Sequence, residues 1–127
     1  TIERVREGGQ DPDWCSVDIQ GVAANTIADS ISVSQPRDGL AAVRAVIESG
    51  GEAVALSDDE ILAAIGELAS MAGVFAEPAA AAPWAAAKRL NGDSRIGKDE
   101  SVVLLITGSG LKDIPAVPVG KPTLVDK

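Results

Sequence analysis

Ser101-Val102-Val103-Leu104-Leu105-Ile106-Thr107-Gly108-Ser109-Gly110-Leu111-Lys112-Asp113 runs from an apolar stretch straight into a hydroxyl and two glycines. Val102 to Ile106 are all apolar and leave no wet face. Such a run reads as a strand covered on both sides, as in a parallel sheet between helix layers. Glycine then permits either a tight turn or a close backbone approach. Gly-x-Gly alone does not choose between a plain turn and a small molecule seated at the strand end.

The segments before it alternate between helical and strand character. Pro36 suits the first turn of a helix. Leu40, Val43, Val46 and Ile47 recur at helical spacing, with Arg37, Arg44 and Glu48 left for the wet face. Gly50-Gly51 supplies a left-handed stop, so a helix is expected over 37–49. Glu52 to Leu56 reads as a strand. Ser57-Asp58-Asp59-Glu60 has the pattern of a capping box, and its acids suit the positive end of a helix without any metal. Ile61, Ile65, Leu68 and Ala72 form one stripe with Leu62 beside it, and Gly73 closes a helix over 58–72. Pro78 opens another over 77–90, ended by Asn91-Gly92. Its alanines, Ala79 to Ala82, leave room for a backbone, a ring or another helix. Pro83 removes a hydrogen bond in that helix, which either kinks there or starts near Ala82. Ile31 and Val33 alternate with Ser30, Ser32 and Ser34, as in a short half-buried strand or a turn of helix before one. With a strand at 101–106, the alternation argues α/β with a largely parallel sheet. The strands are few, and the apolar run at 102–106 wants neighbours on both sides. Part of a larger fold is therefore expected.

At 127 residues the chain is expected to form a single domain over 1–127, with a lead-in segment 1–25 and a Pro-rich tail 114–127. The opening is charged and breaks at Gly8-Gly9. Trp14 is expected to anchor a loop at the core edge. The tail carries Pro115, Pro118 and Pro122 and is expected to lie over the surface or onto a partner chain. The chain begins at Thr1 without a methionine, as a processed or trimmed piece would. The net charge of −8 argues against a nucleic-acid or anionic-membrane partner. With no histidine and no tyrosine, no Ser-His-Asp triad and no histidine zinc site can form within it. The single cysteine, Cys15, excludes an internal disulfide and has no basic neighbour to activate it. A cytoplasmic setting is expected.

Several segments, in the same order, carry a family resemblance: TIADSI (Thr26–Ile31), ESGGEAVALSDDEIL (Glu48–Leu62), GVFAEPAAAA (Gly73–Ala82) and VVLLITGSGLKD (Val102–Asp113). The chain resembles the C-terminal part of the threonine synthase family, within the fold-type II pyridoxal-phosphate enzymes. The resemblance covers most of residues 20–113, and TGSGLKD is its most specific piece. It implies a partial three-layer α/β/α sandwich with a mostly parallel sheet, the C-terminal portion of a larger enzyme. It implies the cofactor pyridoxal 5'-phosphate in the intact enzyme, and conversion of O-phosphohomoserine and water to threonine and phosphate. By the same resemblance, Thr107 would hydrogen-bond the pyridine nitrogen. Gly108, Ser109 and Gly110 would lie under the ring, without side chains at the glycines to collide with it. Glu77, with Ala79 to Ala81, would stand near the same face, and Glu77 could hold the loop by hydrogen bonds.

The departures matter as much. The family's Schiff-base lysine lies in a serine-phenylalanine-lysine-aspartate segment, which these residues lack. The asparagine for the ring's phenolic oxygen and the glycine-rich phosphate loop are also missing. Lys112 is no substitute, because it belongs to the GLKD turn and is expected to face loop backbone or solvent. Pro83 stands where the family has a small residue without a ring. The cofactor-binding set is thus Thr107, Gly108, Ser109, Glu77 and Ala79, with no catalytic residue and no metal ligand. The chain alone is expected to be inactive and unable to hold the cofactor. Its partners would be the remaining N-terminal part of the enzyme, a small-molecule substrate and, as a homo-oligomer, another copy. The alternatives are the same part of a cysteate synthase or threonine dehydratase-like enzyme, a non-catalytic small-molecule-binding or interaction module derived from this fold, or a structural α/β domain with a glycine turn.

Overall fold

Three α-helices form among the described residues: α1 (Gly39–Glu48), α2 (Asp58–Ala72) and α3 (Pro78–Gly92). The computed structural model describes residues 12–117. The charged opening, the Gly8-Gly9 break and the prolines at 118 and 122 lie outside them. The chain divides into two compact units. One holds the described residues up to Asn25 together with Ser32–Ala55. The other holds Thr26–Ile31 and the residues from Leu56 onward.

In the first unit, α1 begins later than the expected 37–49. Pro36 does not occupy its first turn. Instead the proline ring packs over the helix start, where a Cβ on buried Gly39 would lie 3.1 Å from Pro36 Cγ and 2.9 Å from Ile19 Cγ2. The helix ends as its glycines require. Gly50 has φ 66°, and the Gly51 and Gly50 amides donate to the Val46 and Ile47 carbonyls at 2.8 and 3.1 Å. That pairing satisfies carbonyls the helix would otherwise leave open. Trp14 is half-buried, and the Arg44 guanidinium stands 5.7 Å from its ring centroid. Cys15 is exposed.

In the second unit, α2 follows its sequence signals closely. The Ser57 hydroxyl accepts from the Glu60 amide at 3.3 Å, and the Ser57 amide donates to Glu60 Oε2 at 2.8 Å. Gly73, at φ 67°, takes the left-handed stop. Ile61, Ala64, Ile65 and Leu68 are buried, whereas Ala72, expected on the stripe, is exposed and Ala64 takes its place. α3 begins at Pro78 and continues through Pro83, so the later start near Ala82 is not taken, and it runs on through Asn91 and Gly92, expected to end it, to a cap at Asp93. Ala80, Ala81 and Ala85 pack with Ala64, Ile65 and Leu68 of α2 into the core, joined by Ala76 and Val117. A neighbouring helix takes up the Ala80 and Ala81 part of the alanine run. Side chains this small let the two helices approach closely. The deep burial of Ile65 contributes roughly 1.5–3 kcal/mol.

The expected sheet has no ladder among the described residues. Residues 52–56 and 101–106 form no strand, and the 30–34 stretch resolves into a 3-10 turn at Asp29–Ile31. One isolated antiparallel bridge joins Ala76 and Ser109. A run with no wet face needs a partner on each edge, and no described residue supplies one. Val103 and Leu105 are accordingly 82% and 71% exposed.

Candidate functional site

The residues after Ile106 do not turn freely. They are fastened to the segment that leads into α3. The Glu77 amide donates to the Gly108 carbonyl at 3.1 Å, and the Gly110 amide donates to the Phe75 carbonyl at 2.9 Å. These two bonds flank the Ala76–Ser109 bridge and lay residues 108–110 against residues 75–77. Beyond them a 3-10 turn, Gly110–Lys112, is capped by Ser109, whose hydroxyl accepts from the Leu111 amide at 3.3 Å. A second 3-10 turn follows at Ile114–Ala116.

The glycines are explained from inside the chain. A Cβ at Gly108 would collide with the Glu77 carboxylate, and one at Gly110 would come within 2.6 Å of the Phe75 ring. Both are needed for close packing of the loop on residues 75–77, a role distinct from clearing space for a ligand. Glu77 itself is the N-cap of α3 but makes no side-chain cap bond. Its side chain is 4% exposed, and Oε2 accepts from Ser30 Oγ at 3.2 Å and faces Lys112 Nζ at 3.3 Å. Lys112 is largely exposed to solvent, as expected, and its ammonium also reaches the Glu77 carboxylate, which was not. A buried carboxylate without a cation is costly, and Lys112 is the cation within its reach.

Of the five residues expected at the site, Glu77, Gly108 and Ser109 are brought together. Thr107 lies next to them with an exposed side chain, and its hydroxyl makes no hydrogen bond among the described residues. Ala79 is half-buried in the first turn of α3 and has no hydrogen bond to the loop. Three residues of the site were not read from sequence as polar or packing partners: Ser30, Lys112 and Phe75. Only the order of the segments could have hinted at them. Asp58 has a related role. Besides standing at the start of α2, it accepts from Thr26 Oγ1 at 2.5 Å and the Ile27 amide at 3.2 Å, which anchors the segment bearing Ser30.

The carboxylates with displaced titration lie on the α2–α3 face instead. Bonds from the Ser57 amide and hydroxyl, with the Arg89 guanidinium, hold Glu60 down at about 2. Lys88 first, and then the Trp84 indole N–H, lower Glu67. The indole bond is 2.8 Å.

The family described as "Pyridoxal-phosphate dependent enzyme" matches residues 7–108, most of the chain. The chain belongs to this pyridoxal-phosphate-dependent enzyme family. Within it, the chain is similar to proteins named threonine synthase. It is 42% identical over 103 residues to that of Methanosarcina acetivorans, covering 80% of this chain and 25% of the relative. It is 42% identical over 88 residues to that of Methanocaldococcus jannaschii, covering 69% and 22%. It is 38% identical over 112 residues to that of Mycobacterium tuberculosis, covering 80% and 31%. The chain thus spans between about a fifth and a third of the length of these relatives. The residues present fit the family's cofactor in one respect. Thr107 offers an exposed hydroxyl, free of hydrogen bonds among the described residues, on a loop whose backbone is held by its neighbours.

Proposed function

We propose that this chain is the C-terminal part of a threonine synthase-like enzyme that converts O-phosphohomoserine and water to threonine and phosphate. Its part is the wall facing the pyridine ring of pyridoxal 5'-phosphate, and it is inactive alone. The observation that carries the reading is the Thr107 hydroxyl, exposed at the end of an apolar run and next to a loop fastened at Gly108 and Gly110.

When bound, the cofactor supplies an electron sink for bond changes on the substrate carbons. Thr107 would meet the ring nitrogen through a neutral hydroxyl, which can donate or accept. A neutral partner does not force the nitrogen to stay protonated as a carboxylate would. Gly108 and Ser109 would set the height of the loop under the ring. Glu77, filling the space beneath Gly108, would keep that height constant. Ala79 would leave the helix entrance free of bulk near the ring. The lysine that carries the cofactor and the groups that hold its phosphate would come from the remaining N-terminal part. The substrate is a small molecule, assembly as a homo-oligomer is part of the reading, and the setting is the cytoplasm.

The test is a visible absorbance scan of the full-length gene product that carries these residues, with added cofactor, beside the same scan of the 127-residue chain. A bound-cofactor band in the longer product alone, with phosphate released from O-phosphohomoserine, is expected. A gene product that stays colourless with added cofactor overturns the reading.

A further inference from the structure

Three segments far apart in sequence meet at one carboxylate. Ser30 comes from the 3-10 turn Asp29–Ile31, Glu77 from the residue before α3, and Lys112 from the turn after the loop. Ser30 Oγ donates to Glu77 Oε2 at 3.2 Å, Lys112 Nζ stands 3.3 Å from the same oxygen, and Lys112 Nζ donates to Ser30 Oγ at 3.0 Å. The three groups close a ring of contacts. The other carboxylate oxygen, Oε1, occupies the space that a Cβ at Gly108 would need. Glu77 is therefore a wedge between the cluster and the loop. Its Oε2 is held by Ser30 and Lys112, and its Oε1 sets where Gly108 lies. Gly108 is covalently next to Thr107.

We propose that Ser30 and Lys112 are positioning residues for the Thr107 hydroxyl, acting through the Glu77 carboxylate. This rests on the reading of Thr107 as the ring-nitrogen partner. Without the Lys112 charge, Glu77 is left buried with a lone hydroxyl partner, and a buried carboxylate in that state turns toward water. That turn withdraws the support beneath Gly108. The exposure of Lys112, 63% of its side chain, leaves room for an arginine to make the same contact.

The test uses the full-length gene product with four substitutions: Lys112→Met, Lys112→Arg, Ser30→Ala and Thr107→Val. Each is read by cofactor affinity from fluorescence titration, by the visible circular dichroism of the bound cofactor, and by kcat and KM separately, well below the thermal midpoint. Lys112→Met is expected to change the dichroism in the same sense as Thr107→Val and to lower kcat by about tenfold or more, as a small misplacement of a contact group can. KM should move less. Lys112→Arg is expected to restore most of the signal, and Ser30→Ala to give a smaller change in the same sense. A dichroism change in Thr107→Val with none in Lys112→Met or Ser30→Ala overturns the positioning role alone. Silence in Thr107→Val overturns the ring-contact reading and the positioning role with it. Should Lys112→Met fail to fold, Ser30→Ala carries the same decision, because it removes both hydroxyl bonds while keeping both charges.

Discussion

At Gly108 a missing side chain and a buried carboxylate occupy the same few ångströms. Gly108→Ala is expected to push the Glu77 carboxylate off its partners, at a cost of about 1–3 kcal/mol. Gly110→Ala should cost a similar amount against Phe75, because an aromatic ring cannot step aside as a flexible chain end can. Urea unfolding of the chain measures both. A Gly108→Ala variant as stable as the parent would show that the loop does not rest on Glu77. The sequence marked these glycines as special but not why. Gly-x-Gly is equally compatible with a turn, a ligand and a packed neighbour. The packed neighbour at Gly108 is the Glu77 side chain, reaching it from a segment about 30 residues away, and it does not exclude a ligand on the loop's open side.

The helices were legible because their signals are local. Ser57 and Glu60 lie within one turn of each other, and Gly50 and Gly73 act on the carbonyls just behind them. Ser57→Ala should lose about 1 kcal/mol of stability, the usual cost of deleting an N-cap hydroxyl. Glu60 adds a pH dependence. Its carboxylate is held below the ordinary value of 4.5, at about 2, so the folded state favours the ionised form. That contribution is complete above pH 4.5 and is lost as the pH falls from there through about 2. The stability gap between parent and Ser57→Ala should therefore narrow over that range, since the substitution keeps the Ser57 amide bond, the largest cause of the depression, but removes the Ser57 hydroxyl bond, the second cause. A constant gap in acid denaturation curves would contradict it. Pro83 was legible as a problem but not in its outcome. α3 tolerates it because the alanines around it are held by α2. Pro83→Ala, which restores a hydrogen bond to the Ala79 carbonyl, should raise stability by about 1–3 kcal/mol. A lower thermal midpoint would instead assign the ring a packing role.

Across the whole molecule the apolar run at 102–106 is the largest mismatch between composition and setting. Val103 and Leu105 are mostly exposed, and Val102 and Leu104 with Trp84 and Ile96 border an open groove of about 270 Å³. Exposed apolar segments of this kind pair with other chains. The 127-residue chain should self-associate with rising concentration, and Val103→Lys with Leu105→Lys should reduce it. Sedimentation velocity distinguishes the two, and a parent that stays monomeric at high concentration would refute the expectation. No helix among the described residues is long and apolar enough to cross a membrane. The sequence by itself determined that three helices form, the cap and stop of α2, the stop of α1, the apolar run and the family, because each depends on residues near one another or on a pattern that order alone preserves. Only the tertiary structure decided that the run has no ladder among the described residues, and that Glu77 meets Ser30 across 47 positions while Lys112 meets Ser30 across 82. Strand pairing and buried ion pairing are non-local. They exist only when the partner is brought alongside, and no local propensity records whether it is.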